Sequence, residues 1–164
     1  LEAKTTPQGV NIASVFTGWY TENHLMALSS ALAHGAFVGA AQHGRFSSAA
    51  RQDYADAAAV VLAGEGHAGQ TYELAADQSF TLAELAAEVS RQSGKTIVYN
   101  DLSEAAFTDV LTGAGLPADL AALLADADAA ASRGALFDDA GALGRLIGRP
   151  TTPMASVVAA ALRS

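Results

Sequence analysis

The segment Gly18-Trp19-Tyr20-Thr21-Glu22-Asn23 concentrates the residue types of this chain that suit recognition of a flat ring. It holds the only tryptophan. Indole and phenol faces suit a planar acceptor such as a nicotinamide or a quinone, and Glu22 and Asn23 can orient a carboxamide or a carbonyl. The same residues would also make an ordinary helix start, with Thr21 or Asn23 capping and Trp19 in the core. Four histidines follow: His24, His34, His43 and His67. None is paired at i,i+4 or set beside a carboxylate at ligand spacing, so the pattern points to no metal. His34 and His67 adjoin glycines and read as solvated turn residues. His24, next to the aromatic segment, is the one histidine placed to give a proton to a substrate.

Other polar groupings read as structural. Asp53 reads as a helix N-cap with Arg51 beside it, Tyr54 as a packed ring, and Asp126 with Asp128 as a solvated helix edge, since a calcium loop needs further acceptors and a closing Glu. Several signatures are missing from the sequence. Gly35, Gly39 and Gly44 do not make the Gly-x-Gly-x-x-Gly spacing after a strand, and there is no phosphate loop ending in Lys, no serine in a nucleophile elbow and no Tyr followed four residues later by Lys.

The elements that must position the aromatic segment follow from patterning. Beyond a turn at Pro7-Gln8-Gly9, Val10 to Phe16 reads as a buried strand, and Thr21 to His34 as a helix stopped by Gly35. Phe37-Val38 and Arg45-Phe46 read as a loose hairpin. A helix follows from Asp53 to Gly64, then a strand from Thr71 to Leu74. Thr81 with Glu84 makes a capping box for a helix closed by Gly94, and Thr96 to Tyr99 is a β-branched strand. Ser103 caps a helix bearing Phe107, and helices are expected around Leu120 to Leu124, from Asp139 to Ile147 and after Thr152-Pro153.

Composition bounds the class. The 164 residues are 51% hydrophobic and only 16% charged, a globular balance in one domain. A net charge of −8 argues against nucleic acid, which needs a basic stripe, and there is no polybasic membrane patch. Without cysteine there is no disulfide, thiolate ligand or cysteine nucleophile. No apolar run is long enough to span a membrane and no signal peptide opens the chain, so the expectation is a cytoplasmic protein. Because the first residue is Leu1 and not Met, a missing upstream part is also expected.

Thr17 to Leu25, reading Thr-Gly-Trp-Tyr-Thr-Glu-Asn-His-Leu, resembles the segment after the sixth Rossmann strand in NmrA-like atypical short-chain dehydrogenases, above all the type 2 NAD(P)H:quinone oxidoreductases. The likeness continues through Arg51-Gln52-Asp53-Tyr54-Ala55, Thr71 to Ala75, Gln92-Ser93-Gly94-Lys95, Leu136-Phe137-Asp138-Asp139 and Leu146 to Thr152. It implies an α/β fold, the C-terminal portion of an NmrA-like Rossmann protein. Residues 1–20 would be a remnant of the cofactor domain, and 21–164 a helix-rich substrate-side lobe with a few short strands. It implies NADP or NAD as cofactor in the complete protein and a quinone as substrate. Thr17, Gly18, Trp19, Tyr20, Thr21 and Glu22 would face the nicotinamide end, and Tyr20, Asn23 and His24 the substrate.

One departure from the family pattern is Phe16-Thr17, where relatives often carry Arg and then Asn or Pro. A phenylalanine supplies no charge-assisted bond there. The absent glycine-rich loop implies that an N-terminal half is missing and that the chain alone is inactive or nearly so. The Val10–Phe16 strand, stripped of neighbours, is expected to drive self-association. Two other readings stay open: a non-enzymatic dinucleotide sensor of the NmrA type, and a structural interaction module.

Overall fold

A computed structural model describes residues 13–164. The turn at Pro7-Gln8-Gly9 and the first residues of the Val10–Phe16 strand lie outside them. The elements run β1 (Ser14–Thr17), α1 (Thr21–His24), α2 (Leu28–His34), β2 (Ala36–Gly39), α3 (Arg51–Ala63) and β3 (Thr71–Leu74). Then come α4 (Leu82–Ser93), β4 (Val98–Asp101), α5 (Glu104–Gly113), α6 (Ala118–Ser132), α7 (Ala142–Ile147) and α8 (Met154–Ala161). The fold is α/β and helix-rich, with short strands.

The strands pair in two parallel couples. β1 runs beside β3, from Ser14 opposite Thr71 to Thr17 opposite Leu74, and β2 runs beside β4, from Ala36 opposite Val98 to Gly39 opposite Asp101. Parallel partners need a crossover, and α3 and α4 lie on the two connecting paths. The main core gathers Leu25, Phe37, Phe46, Phe80, Leu85, Val89 and Val158, while Tyr54, Leu74 and Leu143 form a second cluster under β1 and β3.

Local chemistry accounts for α4. Thr81 Oγ1 accepts the Glu84 N–H at 3.1 Å, Glu84 accepts the Thr81 N–H at 2.8 Å, and Leu82, Leu85, Ala86 and Val89 face inward. Gly94 ends it at φ 71°, as Gly35 ends α2 at φ 76°, a left-handed turn that glycine adopts without strain. Ser103 caps α5 by accepting the Ala106 N–H at 3.2 Å.

Several expectations are corrected. The hairpin does not form, because the backbone after β2 is taken by side chains. Ala40 N–H donates to Asp128 Oδ2, Ala41 N–H to Tyr99 Oη and Gln42 N–H to Asp101 Oδ1, which turn the chain away from its own strand. Phe46 bridges instead to Phe80. Asp128 is therefore a turn-holding acceptor and not part of a solvated edge, and its burial raises its pKa. Asp53 does not cap α3. The N-cap is Ala50, and Asp53 is fully buried inside the first turn. The helix expected over Thr21–His34 divides at Leu25–Ala27 into α1 and α2, and the strand of Thr96–Tyr99 starts later, at Val98. The helix expected from Asp139 begins at Ala142. His67 is partly buried and hydrogen-bonded to Tyr72 Oη at 2.6 Å, not solvated.

Candidate functional site

At the carboxyl end of β1 the chain leaves its partner strand and runs along the stretch that leads into α3. Gly18 N–H donates to the Leu74 carbonyl at 3.3 Å, Tyr20 bridges to Ala49, and Thr21 N–H donates to the Ala49 carbonyl at 2.9 Å. Space is tight at position 18, where a Cβ would lie 3.1 Å from the Tyr54 hydroxyl and push that side chain aside by a few tenths of an ångström. Burial pushes the Tyr54 phenol up to about 12, and its hydroxyl meets the Leu74 carbonyl at 3.4 Å, which keeps it a neutral packing group.

Trp19 and Tyr20 are partly buried, while Thr17 and Gly18 are exposed. Beside Thr17, Gly18 and Trp19 opens a cleft of about 190 Å³, whose other walls are Ser47 and Ser48, Glu73 to Ala75, and Ala135 to Asp138. A shallower hollow of about 330 Å³ adjoins it, bordered by Thr17 to Tyr20, Asn23 and Leu136. Thr17, Gly18, Trp19 and Leu136 belong to both.

The remaining candidates hold this wall in place. The buried Thr21 donates its hydroxyl to the Ser48 carbonyl at 3.1 Å. Glu22 accepts the Arg51 N–H with both carboxylate oxygens, at 3.0 and 3.1 Å, and so satisfies a free donor at the start of α3. The Arg51 guanidinium sits 5.3 Å from the centre of the Tyr20 ring, which also packs on Tyr54 at 5.5 Å. His24 is set back from the cleft. Its Nε2 is 3.0 Å from Ser48 Oγ, its ring meets Phe46 and Phe80 edge-on, and burial lowers its pKa to about 4.

Thr17, Gly18, Trp19, Tyr20 and Asn23 thus share one surface, Thr21 and Glu22 anchor it, and His24 stands behind it. Sequence patterning passed over Ser47, Ser48 and the 135–138 loop. Ser47 ties that loop down, since its hydroxyl donates to the Asp138 carbonyl at 2.7 Å and accepts the Asp138 N–H at 2.9 Å. A polar pair between Phe46 and the Ala49-Ala50 run was the available signal.

The cleft walls carry no Lys, Arg or His, and two carboxylates, Glu73 and Asp138. Such a lining suits an uncharged or cationic flat ring and repels phosphate. A dinucleotide would therefore fit here by its nicotinamide end only. Among the described residues no group of three His, Asp or Glu is placed to hold a metal ion, and no helix is long and apolar enough to cross a membrane.

No family model matches the chain. It is 49% identical over 157 residues to quinone oxidoreductase 2 of Escherichia coli (strain K12), covering 96% of this chain and 55% of that protein. The crystal structure of the Escherichia coli NADPH-dependent quinone oxidoreductase in complex with NADPH superposes with a TM-score of 0.87 at 51% identity, over 89% of this chain and 52% of that one. The triphenylmethane reductase of Citrobacter sp. superposes with a TM-score of 0.86 at 34% identity, over 94% of this chain and 54% of that one. The chain spans about half the length of these relatives.

Proposed function

From the homology of this chain to the NADPH-dependent quinone oxidoreductases, we propose that it supplies the acceptor-side part of an enzyme that reduces quinones with NAD(P)H. The observation that carries this reading is the ring-sized cleft beside Trp19, free of basic side chains, at the exit of a parallel strand. When bound, the reduced nicotinamide supplies a hydride. The work of the chain is to hold the two rings face to face and keep water from between them.

In this reading Thr17, Gly18, Trp19 and Tyr20 form the ledge for the nicotinamide end, kept in place by Thr21 and Glu22. Asn23 and Tyr20 face the acceptor, and His24 acts through Ser48. Within residues 1–20, β1 continues a Rossmann sheet that β3 joins, and the rest of Thr21 to Ser164 forms the substrate-side lobe. The phosphates would be held by a half that carries a glycine-rich strand-to-helix loop, since Gly64, Gly66 and Gly69 here lead from a helix into a strand. The ring of Phe16 on β1 is 59% exposed, which supports pairing of that strand with another chain. One mass, that of a monomer, at all concentrations in light scattering would remove this last expectation.

The test joins this chain to the dinucleotide-binding half of the Escherichia coli enzyme and follows loss of nicotinamide absorbance with 1,4-naphthoquinone. Turnover is expected in the joined protein and not in the chain alone, with about a tenfold or greater loss of kcat/KM in Trp19→Ala. A joined protein that binds NADPH tightly yet turns over no quinone would replace the enzyme by a dinucleotide sensor.

A further inference from the structure

Ser48 is only 5% exposed, yet it borders two cavities: the cleft beside Trp19, and a hollow of about 370 Å³ on the side of Arg45 and Phe80. Its hydroxyl is the polar side-chain group that His24 Nε2 meets, at 3.0 Å. The imidazole cannot swing away, because Phe46 and Phe80 hold it edge-on with ring centres 4.7 and 5.4 Å distant. Ser48 is fixed from its other end by the Thr21 hydroxyl, which donates to its carbonyl. A buried hydroxyl at the edge of a ring-sized cleft, backed by a clamped imidazole, is a geometry for moving a proton.

The charge state agrees. With its pKa drawn down to about 4 by burial, His24 is neutral near pH 7, with one ring nitrogen as donor and the other as acceptor. Such a ring can release a hydrogen from Nε2 and gain one at Nδ1 without leaving a net charge among phenylalanines.

We infer that Ser48 is the proton donor to the reduced acceptor, and that His24 is a positioning residue that recharges it. The inference rests on the quinone reading of the cleft. Hydride transfer leaves one oxygen of the quinone as an anion. The Ser48 O–H bond breaks towards that oxygen, Ser48 Oγ takes the hydrogen of His24 Nε2, and His24 takes a proton from solvent at Nδ1. One quinone, one hydride from the reduced nicotinamide and one solvent proton give one hydroquinone. Imidazole and hydroxyl both end neutral, and before the next turnover the ring returns to its Nε2–H form by losing the Nδ1 proton to solvent and regaining one at Nε2.

The relay requires that resting His24 carry its hydrogen on Nε2, so that Ser48 accepts from the ring and keeps its own hydrogen for the cleft. The full chain, labelled with nitrogen-15 in histidine, reports this directly by NMR, with His24→Gln assigning the signals. The Nε2–H form is expected, shifting when 1,4-naphthoquinone is added and in Ser48→Ala, and restored in Ser48→Thr, which keeps a hydroxyl. An Nδ1–H form overturns the relay, because Ser48 would then be donating to the ring. Emission from Trp19, the only tryptophan, is followed in the same titration. Quenching with no response at His24 overturns the relay and leaves the cleft reading intact. No quenching removes the cleft reading and the relay with it.

Discussion

Arg149 reaches Asp53 across 96 residues of sequence, its Nη2 lying 2.7 Å from an Oδ1 that belongs to a fully buried carboxylate. The same carboxylate accepts the Thr152 N–H at 2.6 Å and the Thr152 hydroxyl at 3.0 Å, while Arg149 also meets Asp56 at 2.6 Å. The segment that leads into α8 is thereby pinned to the first turn of α3, the helix whose first N–H is held by Glu22. Asp53→Ala should lower stability by about 1–3 kcal/mol, since it leaves the Thr152 N–H and hydroxyl without an acceptor and Arg149 with Asp56 alone. Asp53→Asn, which keeps one acceptor oxygen, should lose less. Urea unfolding of the three proteins measures the order, and an alanine variant as stable as the parent would mean that the pin contributes nothing.

The capping box of α4 is a smaller and more local contribution. Thr81→Ala removes the acceptor of the Glu84 N–H and should cost about 1 kcal/mol. Glu84 also meets Arg45 at 3.3 Å, an exposed pair whose loss should be small. Thr81→Ser should therefore recover most of the stability, as read from the urea midpoint at unchanged slope.

What could be read in the sequence was what is encoded within one turn or one strand. Thr81 with Glu84, Gly35, Gly94 and Ser103 act on neighbours three or four residues away, and each did what its spacing predicts. The aromatic segment after β1 was visible because its residue types are unusual together. Asp53 looked like a cap because the same residue type serves both as a cap and as a buried acceptor, and only the distant Arg149 and Thr152 decide between them. The pairing of Phe37 with β4, not with Phe46, depends on three side chains that lie 58 to 88 residues downstream of the N–H groups they accept. Ser48 illustrates the same limit in the candidate site, because a serine gains chemical meaning only from an imidazole 24 residues earlier.

Gly44 offers a test of packing without chemistry. A Cβ at this position would lie 2.5 Å from the Ala131 carbonyl carbon and oxygen and 2.7 Å from Ser132 N, all backbone of the end of α6. Backbone cannot step aside as a side-chain tip can. Gly44→Ala should cost about 1–3 kcal/mol through overpacking, seen as a lowered Tm. By contrast, Gly113→Ala meets nothing within 4 Å and should be close to neutral or stabilising, since it lies in the last turn of α5.

His24 should give the protein a distinct acid limb of stability. Its folded pKa of about 4 lies below the ordinary imidazole value of 6.5, because burial disfavours the imidazolium. Between those two values the unfolded chain binds the proton and the folded chain does not, so acidification favours unfolding. The contribution is whole above the unfolded pKa, is lost as pH falls towards about 4, and is flat below that. Its size should be on the order of 2–3 kcal/mol, allowing for the partial exposure of the residue. Unfolding by urea at a series of pH values from neutral to acid, for the parent and for His24→Gln, isolates this group from the carboxylates that titrate in both. The parent should lose more stability over that interval than the variant, whatever their difference at neutral pH. Parallel curves would mean that His24 is protonated in the folded protein as readily as in the unfolded chain, and that its ring is not desolvated between Phe46 and Phe80.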